Sequence, residues 1–145
     1  MKIQTAYWNE LEINEADMIY FQHGLPGFEE ERQFAMLPIS DESIFQVLQS
    51  VKTKELAFIV TSPFIAVKDY SFDLEEATIE ALQIQEVHEV AVLGIVTLKD
   101  TLATSTINLT APIVLNTTNK QAKQIILDNN AFMIRHPLNI PKEEG

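Results

Sequence analysis

The sequence contains no cysteine. That absence removes disulfides, thiolate nucleophiles and cysteine-held zinc or iron–sulfur centres from consideration, and it fits a reducing cytoplasm. Positive charge is scarce. Ten Lys and Arg stand against 21 Asp and Glu, for a net charge of −11. A chain this acidic repels phosphate backbones, so direct binding of nucleic acid is not expected. Long hydrophobic runs are missing as well. The longest uncharged apolar run, Val90 to Leu98, falls far short of the roughly 20 residues of a membrane helix. The opening MKIQTAYWNELEIN has no apolar core of a secretory signal. These absences lead to the expectation of a cytoplasmic protein without a membrane segment.

What is present is an ordinary globular composition, 46% hydrophobic, in 145 residues, the size of one typical domain. One domain over 1–145 is expected, with 139–145 (the PKEEG end) frayed. The acids are unevenly placed. Asp69, Asp73, Glu75, Glu76, Glu80, Glu86 and Glu89 follow one another with no Lys or Arg between them. Two readings stand: a solvated face that keeps the protein soluble, or a surface that meets a basic partner or excludes RNA.

Strand signals dominate. Lys2 to Trp8, Leu11 to Asn14, Met18 to Phe21, Phe34 to Ile39 and Ile44 to Leu48 are short β-prone runs, the last two flanking the turn composition SDES. LAFIVT, Leu56 to Thr61, reads as a buried strand that stops before Pro63. Val87 to Leu98 reads as a long strand in which Gly94 marks a bulge or bend. Ala103 to Asn116 is rich in Thr, Ile and Val, with Pro112 interrupting it. Ile125 to Leu127 and Phe132 to Arg135 read as short strands around the turn DNN. For helix, Asp73 with Glu76 three residues on has the form of a capping box, and Leu74, Ala77, Ala81 and Leu82 form a modest apolar stripe. A one- or two-turn helix is expected after Pro26, through Phe28 to Gln33. The fold class is therefore mainly β: a small single-domain, β-barrel-like fold of about ten short strands with one or two short helices.

The stretch FQHGLPGFEEER, Phe21 to Arg32, is the most distinctive in the chain. GLPG lacks the spacing of a dinucleotide loop and the Gly-Lys ending of a phosphate loop, and its proline removes a backbone donor. Leu25, Pro26 and Gly27 instead suit a tight turn, with Pro setting φ and Gly supplying a positive one. Gly24, Leu25, Pro26, Gly27 and Phe28 are thus expected to form a structural corner, with the flanking phenylalanines anchored in a core. Glu29, Glu30 and Glu31 are adjacent and fan out rather than converge, as a catalytic carboxylate pair would need to.

No other motif carries chemistry. His88 has Glu86 and Glu89 nearby, which on a strand would place Glu86 and His88 on one face, but no second histidine is close enough in sequence for a metal site. No nucleophile elbow or metalloprotease motif is present. No enzyme activity, metal or cofactor is expected. The contrary reading, a small β-barrel hydrolase with a Glu pair, requires a deep cleft with convergent titratable groups. A partner-binding protein requires instead a shallow apolar patch rimmed by acids. Among Tyr7, Trp8, Phe64, Tyr70, Phe72, Phe132 and Met133, one or two are expected to be exposed as interface anchors.

The run from Phe21 to Glu29 (FQHGLPGFE) resembles the signature of the flagellar assembly factor FliW family. Further matches follow in order: Phe45 to Ser50 (FQVLQS), Leu56 to Val60 with Pro63, Tyr70, Ile95 to Thr97, Asn108 and Leu109, Ala111 to Val114, and Gln124. The resemblance spans roughly residues 1 to 138. It implies a cytoplasmic, non-enzymatic, β-barrel-like protein that exchanges partners. Such a protein binds flagellin, through the C-terminal helical region of that partner. When flagellin is depleted it binds the RNA-binding translational repressor CsrA and antagonises its hold on the flagellin messenger. On that reading Glu29, Glu30, Glu31, Asp69, Tyr70, Asp73, Glu75, Glu76 and Glu80 bind partners or repel RNA, and the antagonism is non-competitive, helped by negative charge.

Overall fold

A computed structural model describes residues 1–39, 44–100, 104–127 and 134–138. The strands, in chain order, are β1 (Lys2–Thr5), β2 (Asn9–Glu12), β3 (Met18–Phe21), β4 (Gln33–Pro38), β5 (Gln46–Ser50), β6 (Ala57–Thr61), β7 (Val90–Thr97), β8 (Thr106–Ile107), β9 (Ile113–Asn116), β10 (Gln121–Gln124) and β11 (His136–Pro137). One α-helix, α1 (Glu76–Ala81), and three short 3-10 turns complete the described elements. The mainly β, barrel-like class expected from the sequence is the one observed, with eleven strands among the described residues where about ten were expected.

Seven strands close on themselves. The hydrogen-bonded order β7-β6-β5-β4-β3-β10-β9 returns to β7 through pairing of Val90–Leu93 with Ile113–Asn116. Every contact in the ring is antiparallel except β10 with β3. The far half of β7 instead takes β8, to which β11 adds. β1 and β2 form a separate antiparallel hairpin.

The period-2 alternation of strand side chains sorts the apolar residues into two clusters on opposite faces of the barrel wall. Ile19, Phe21, Phe34, Leu48, Val60, Ile113, Leu115 and Ala122 form one, with Leu25 added from the corner. It draws on six of the seven barrel strands, and β7 adds the partly buried Ala91, Leu93 and Ile95 packed against it. Its Phe34 and Phe58 rings approach to 6.3 Å although β5 lies between their strands, as side chains converge on the concave side of a curved sheet. This cluster is the lumen. Met18, Ala35, Leu37, Val47, Ile59 and Val96 point outward and are covered by Ile3 and Ile13 near the hairpin, by Tyr70, and by Ile107, Leu109 and Leu138. Because both faces are buried, strands such as AFIVT read as continuous apolar runs.

Several local expectations are corrected. No helix follows Pro26; Leu25 and Phe28 bridge each other instead, and the chain stays in turns until β4. The helix begins later than Asp73: its N-cap is Glu75, with no side-chain cap bond. Its inner face is Thr78, Ile79 and Leu82, while Ala77 and Ala81 are exposed. Val87–Glu89 is a 3-10 turn, so β7 starts at Val90, and Glu86 and His88 do not lie on a strand. Gly94 makes no bulge. It pairs with Thr61, and its bare Cα admits Ile107, whose Cδ1 would lie 2.5 Å from an added Cβ. The segment Ala103 to Asn116 divides into β8 and β9. Between them the Asn108 side-chain oxygen accepts the backbone N–H of Thr110 at 2.9 Å and of Ala111 at 3.2 Å, a local turn that competes with extended pairing. The tenth strand is Gln121–Gln124 rather than Ile125 to Leu127, whose N–H groups donate to the carbonyls of Pro112 (from Ile125) and Thr110 (from Leu127). The turns SDES and DNN, Phe132, Met133 and the tail 139–145 lie outside the described residues.

Candidate functional site

The corner is built from local chemistry. Phe28 N–H donates to the Leu25 carbonyl at 2.7 Å. Pro26 and Gly27 occupy the two central positions, and Gly27 has φ +85°, the conformation that glycine adopts without a steric penalty. Gly24 is also left-handed, and an added Cβ there would meet the Phe28 and Glu29 carbonyl oxygens at 2.6 Å. Phe21 and Leu25 are the anchors, both fully buried. Phe28 is not one: it is 43% exposed and stands edge-on to Phe58, 6.0 Å away.

The three glutamates separate. Glu31 turns inward, where its carboxylate accepts the Ser50 hydroxyl and, at 2.8 Å, the Thr53 hydroxyl. That ties the corner to the turn after β5 and removes Glu31 from the solvated field expected of it. Glu30 lies 3.9 Å from Lys52 in an exposed pair, and Glu29 is exposed. His88 Nε2 lies 3.2 Å from Glu86, both exposed. Among the described residues no group of three or more His, Cys, Asp and Glu could hold a metal ion, and no helix is long and apolar enough to cross a membrane.

The feature that gathers the acidic segment is a groove of about 990 Å³ along the first half of β7. Val90 to Leu93 form its floor, Phe64, Phe72 and Leu74 one wall, and Ile79 and Val87 the other. The wall from Ser62 to Leu74 exists because Pro63 ends β6 and starts a 3-10 turn, capped by the Ser62 hydroxyl accepting Phe64 N–H at 3.3 Å. The opposite wall is pinned to the β9–β10 turn. Asn116 and Asn119 donate side-chain N–H groups to the Leu82 carbonyl at 2.9 and 3.0 Å, and Thr117 donates backbone and hydroxyl hydrogens to the Glu89 carbonyl, both at 2.8 Å. The Glu89 carboxylate accepts the Gln85 and Glu86 N–H groups at 2.9 Å. Hydrogen bonds from Thr118 and from these two amides hold its carboxyl below the usual carboxylate range.

One carboxylate, Asp73, lines the groove. Glu75, Glu76, Glu80 and Glu86 are exposed on the segment that forms its second wall, and Asp69 is exposed on the first. Phe64 is 49% exposed and Val87 88% exposed. Tyr70 does not fit the docking role given to it. It is 2% exposed, donates its hydroxyl hydrogen to the Leu109 carbonyl at 2.7 Å, and stacks edge-on with Phe64 and Phe72. Burial pushes its pKa up to about 12. Val87 was missed by sequence reasoning; a valine isolated between acids in QEVHEV was the available signal. The floor residues were hidden inside an apparently uniform strand.

These features define a small closed β-barrel carrying an acid-rimmed apolar groove. The FliW family model, described as "FliW protein", matches residues 2–138. The chain is 47% identical over 138 residues to a flagellar assembly factor FliW from Bacillus licheniformis, covering 95% of this chain and 96% of that protein. It is 46% identical over 138 residues to the protein of that name from Bacillus subtilis, with the same coverage. A crystal structure of the flagellar assembly factor FliW superposes with a TM-score of 0.90 at 40% identity, covering 99% of this chain and 100% of that one. The chain belongs to the FliW family of flagellar assembly factors.

Proposed function

We propose that this chain works in the cytoplasm, as one domain over residues 1–145, as a partner-exchanging regulator of flagellar assembly without enzymatic activity. It binds flagellin through the C-terminal helical region of that protein. Once flagellin is depleted it binds the translational repressor CsrA and antagonises CsrA on the flagellin messenger. The observation that carries the reading is the apolar groove along β7 with acids on both walls. Exposed apolar groups within a charged rim mark protein-binding surfaces. Phe64 and Val87 supply the contact, and Asp69, Asp73, Glu75, Glu76 and Glu80 supply the field. Glu29 and Glu30 add to that field from the corner, where Gly24, Leu25, Pro26, Gly27 and Phe28 hold the backbone.

The antagonism needs no overlap with the RNA site. A ligand of net charge −11 fixed on an RNA-binding protein repels incoming phosphates across a Debye length of about 10 Å at 0.1 M salt. Two sites coupled in this way are reciprocal: RNA weakens binding of the acidic partner by the same factor. The test uses purified chain, CsrA and a labelled fragment of flagellin messenger. The triple substitution Glu75→Lys, Glu76→Lys and Glu80→Lys is expected to leave CsrA bound while RNA stays on CsrA. If the triple variant binds CsrA and still excludes RNA fully, the electrostatic role is wrong. If the wild-type chain captures neither flagellin nor CsrA, the whole reading fails.

A further inference from the structure

The floor of the groove includes a stretch of β7 that no strand pairs with on one side among the described residues. Thr117 N–H donates to the Glu89 carbonyl at 2.8 Å, and the β7–β9 register continues from there as Val90 with Asn116, Ala91 with Leu115 and Val92 with Val114. Hydrogen-bonded pairs alternate along an antiparallel ladder. Ala91 and Leu93 therefore point their backbone groups to β9, while Val90 and Val92 point theirs to the opposite side. On that side β6 pairs only with Gly94, Ile95 and Val96. Its ladder ends at Thr61, and Pro63, which has no N–H, leads the chain into the 3-10 turn. Val90 N–H closes locally on the Val87 carbonyl. Among the described residues no strand pairs with the Val92 N–H and C=O or the Val90 C=O on the groove side.

An unpaired edge with a side-chain groove alongside is the requirement for strand addition, in which main-chain bonds give affinity and alternate pockets give selectivity. Here the alternate side chains of an added strand would meet Phe64, Phe72, Leu74 and Ile79. Its ends would meet a rim of Asp and Glu without Lys or Arg from Asp69 to Glu89. We propose that the Val90–Val92 edge accepts a short extended segment of a partner protein as an added strand, apolar at alternate positions and carrying Lys or Arg at its ends.

The probe is a labelled peptide of alternating Val and Thr between terminal lysines, titrated against the full chain by fluorescence anisotropy. Comparison peptides carry glutamate ends, N-methylated alternate amides, or a helical Leu/Lys sequence. The lysine-ended peptide is expected to bind and to slow hydrogen exchange at the Val92 amide. N-methylation and the exposed-site variants Phe64→Glu and Val87→Glu are each expected to weaken binding by about tenfold or more, a difference of roughly 1.4 kcal/mol. Glu15→Lys, away from the groove, is expected to leave binding within about twofold, a few tenths of a kcal/mol. Equal binding of the N-methylated peptide, tighter binding of the helical one, or no binding with unchanged Val92 exchange each overturns the proposal. So does concentration-dependent dimerisation abolished by Phe64→Glu, which would seat a second copy there. The inference stands apart from the identity of the physiological partners. A chain that binds the peptide but neither flagellin nor CsrA defeats the functional reading alone, and the reverse pattern defeats this one alone.

Discussion

Tyr70 shows how one side chain fixes a wall of the groove without being available to a visitor. Its ring is buried against Phe64 and Phe72, and its hydroxyl is committed to the Leu109 carbonyl. Replacing it with Phe keeps the ring and leaves a buried carbonyl unpaired, so Tyr70→Phe is expected to lower unfolding free energy by about 1 kcal/mol, measured by urea denaturation. The same group sets an alkaline limit. Its folded pKa, about 12, lies above the ordinary value of 10.0, so the folded state holds the phenolic proton more tightly than the unfolded state. The resulting contribution is fully present below pH 10 and is lost as pH rises toward 12. Tyr70→Phe should show a correspondingly shallower loss of stability across that window. Equal slopes for both proteins would refute the assignment.

At the scale of elements, the buried amide of Gln49 adds a polar tie between the β1–β2 hairpin and the barrel beside the packing of Ile3. Gln49, fully buried on β5, accepts the Ala6 N–H at 2.9 Å through Oε1 and directs Nε2 at the carbonyls of Lys54 (3.0 Å) and Ser50 (3.1 Å). Gln49→Leu keeps the volume and strands these partners. We expect a loss of about 1–3 kcal/mol, with faster amide exchange at Ala6 than at Leu48 on β5. Uniform exchange changes across both elements would argue against an anchoring role.

The same scale separates what was legible from what was not. The Leu25–Phe28 turn was readable because Pro and Gly act through their own backbone preferences. Strand existence was readable from β-prone runs, and Met18 to Phe21 was read to the residue. β10 was missed because QAKQ has no strand composition; it is a strand because β3 and β9 offer edges on either side. The helix start was misplaced because Asp73 and Glu76 match a capping box, whereas the observed N-cap is Glu75, which makes no side-chain cap bond. The groove was legible only as a list of acids. Its floor depends on where β6 stops relative to β7, a register between residues some 30 positions apart that no local pattern encodes.

At the scale of the whole molecule, the charge excess opposes the compact state through self-repulsion. Few pairs relieve it: the described ion pairs, such as Glu12 with the N-terminal amine and Glu30 with Lys52, are exposed and contribute little. Thermal stability is therefore expected to rise with sodium chloride between about 0.01 and 0.15 M, as the Debye length contracts from roughly 30 to 8 Å. A flat or falling midpoint in differential scanning calorimetry would count against net repulsion.

The single parallel seam of the barrel, where Gln121 and Ala122 lie beside Tyr20 and Phe21, has a temporal implication. It joins an early segment to one made about a hundred residues later, and such distant pairings form slowly because a large loop must close first. A nascent chain short of residue 121 has the β3 edge raw and no ring at all. Competence thus arrives only once β10 has been made, and any premature stop upstream of β10 yields an adhesive open sheet rather than a smaller working copy.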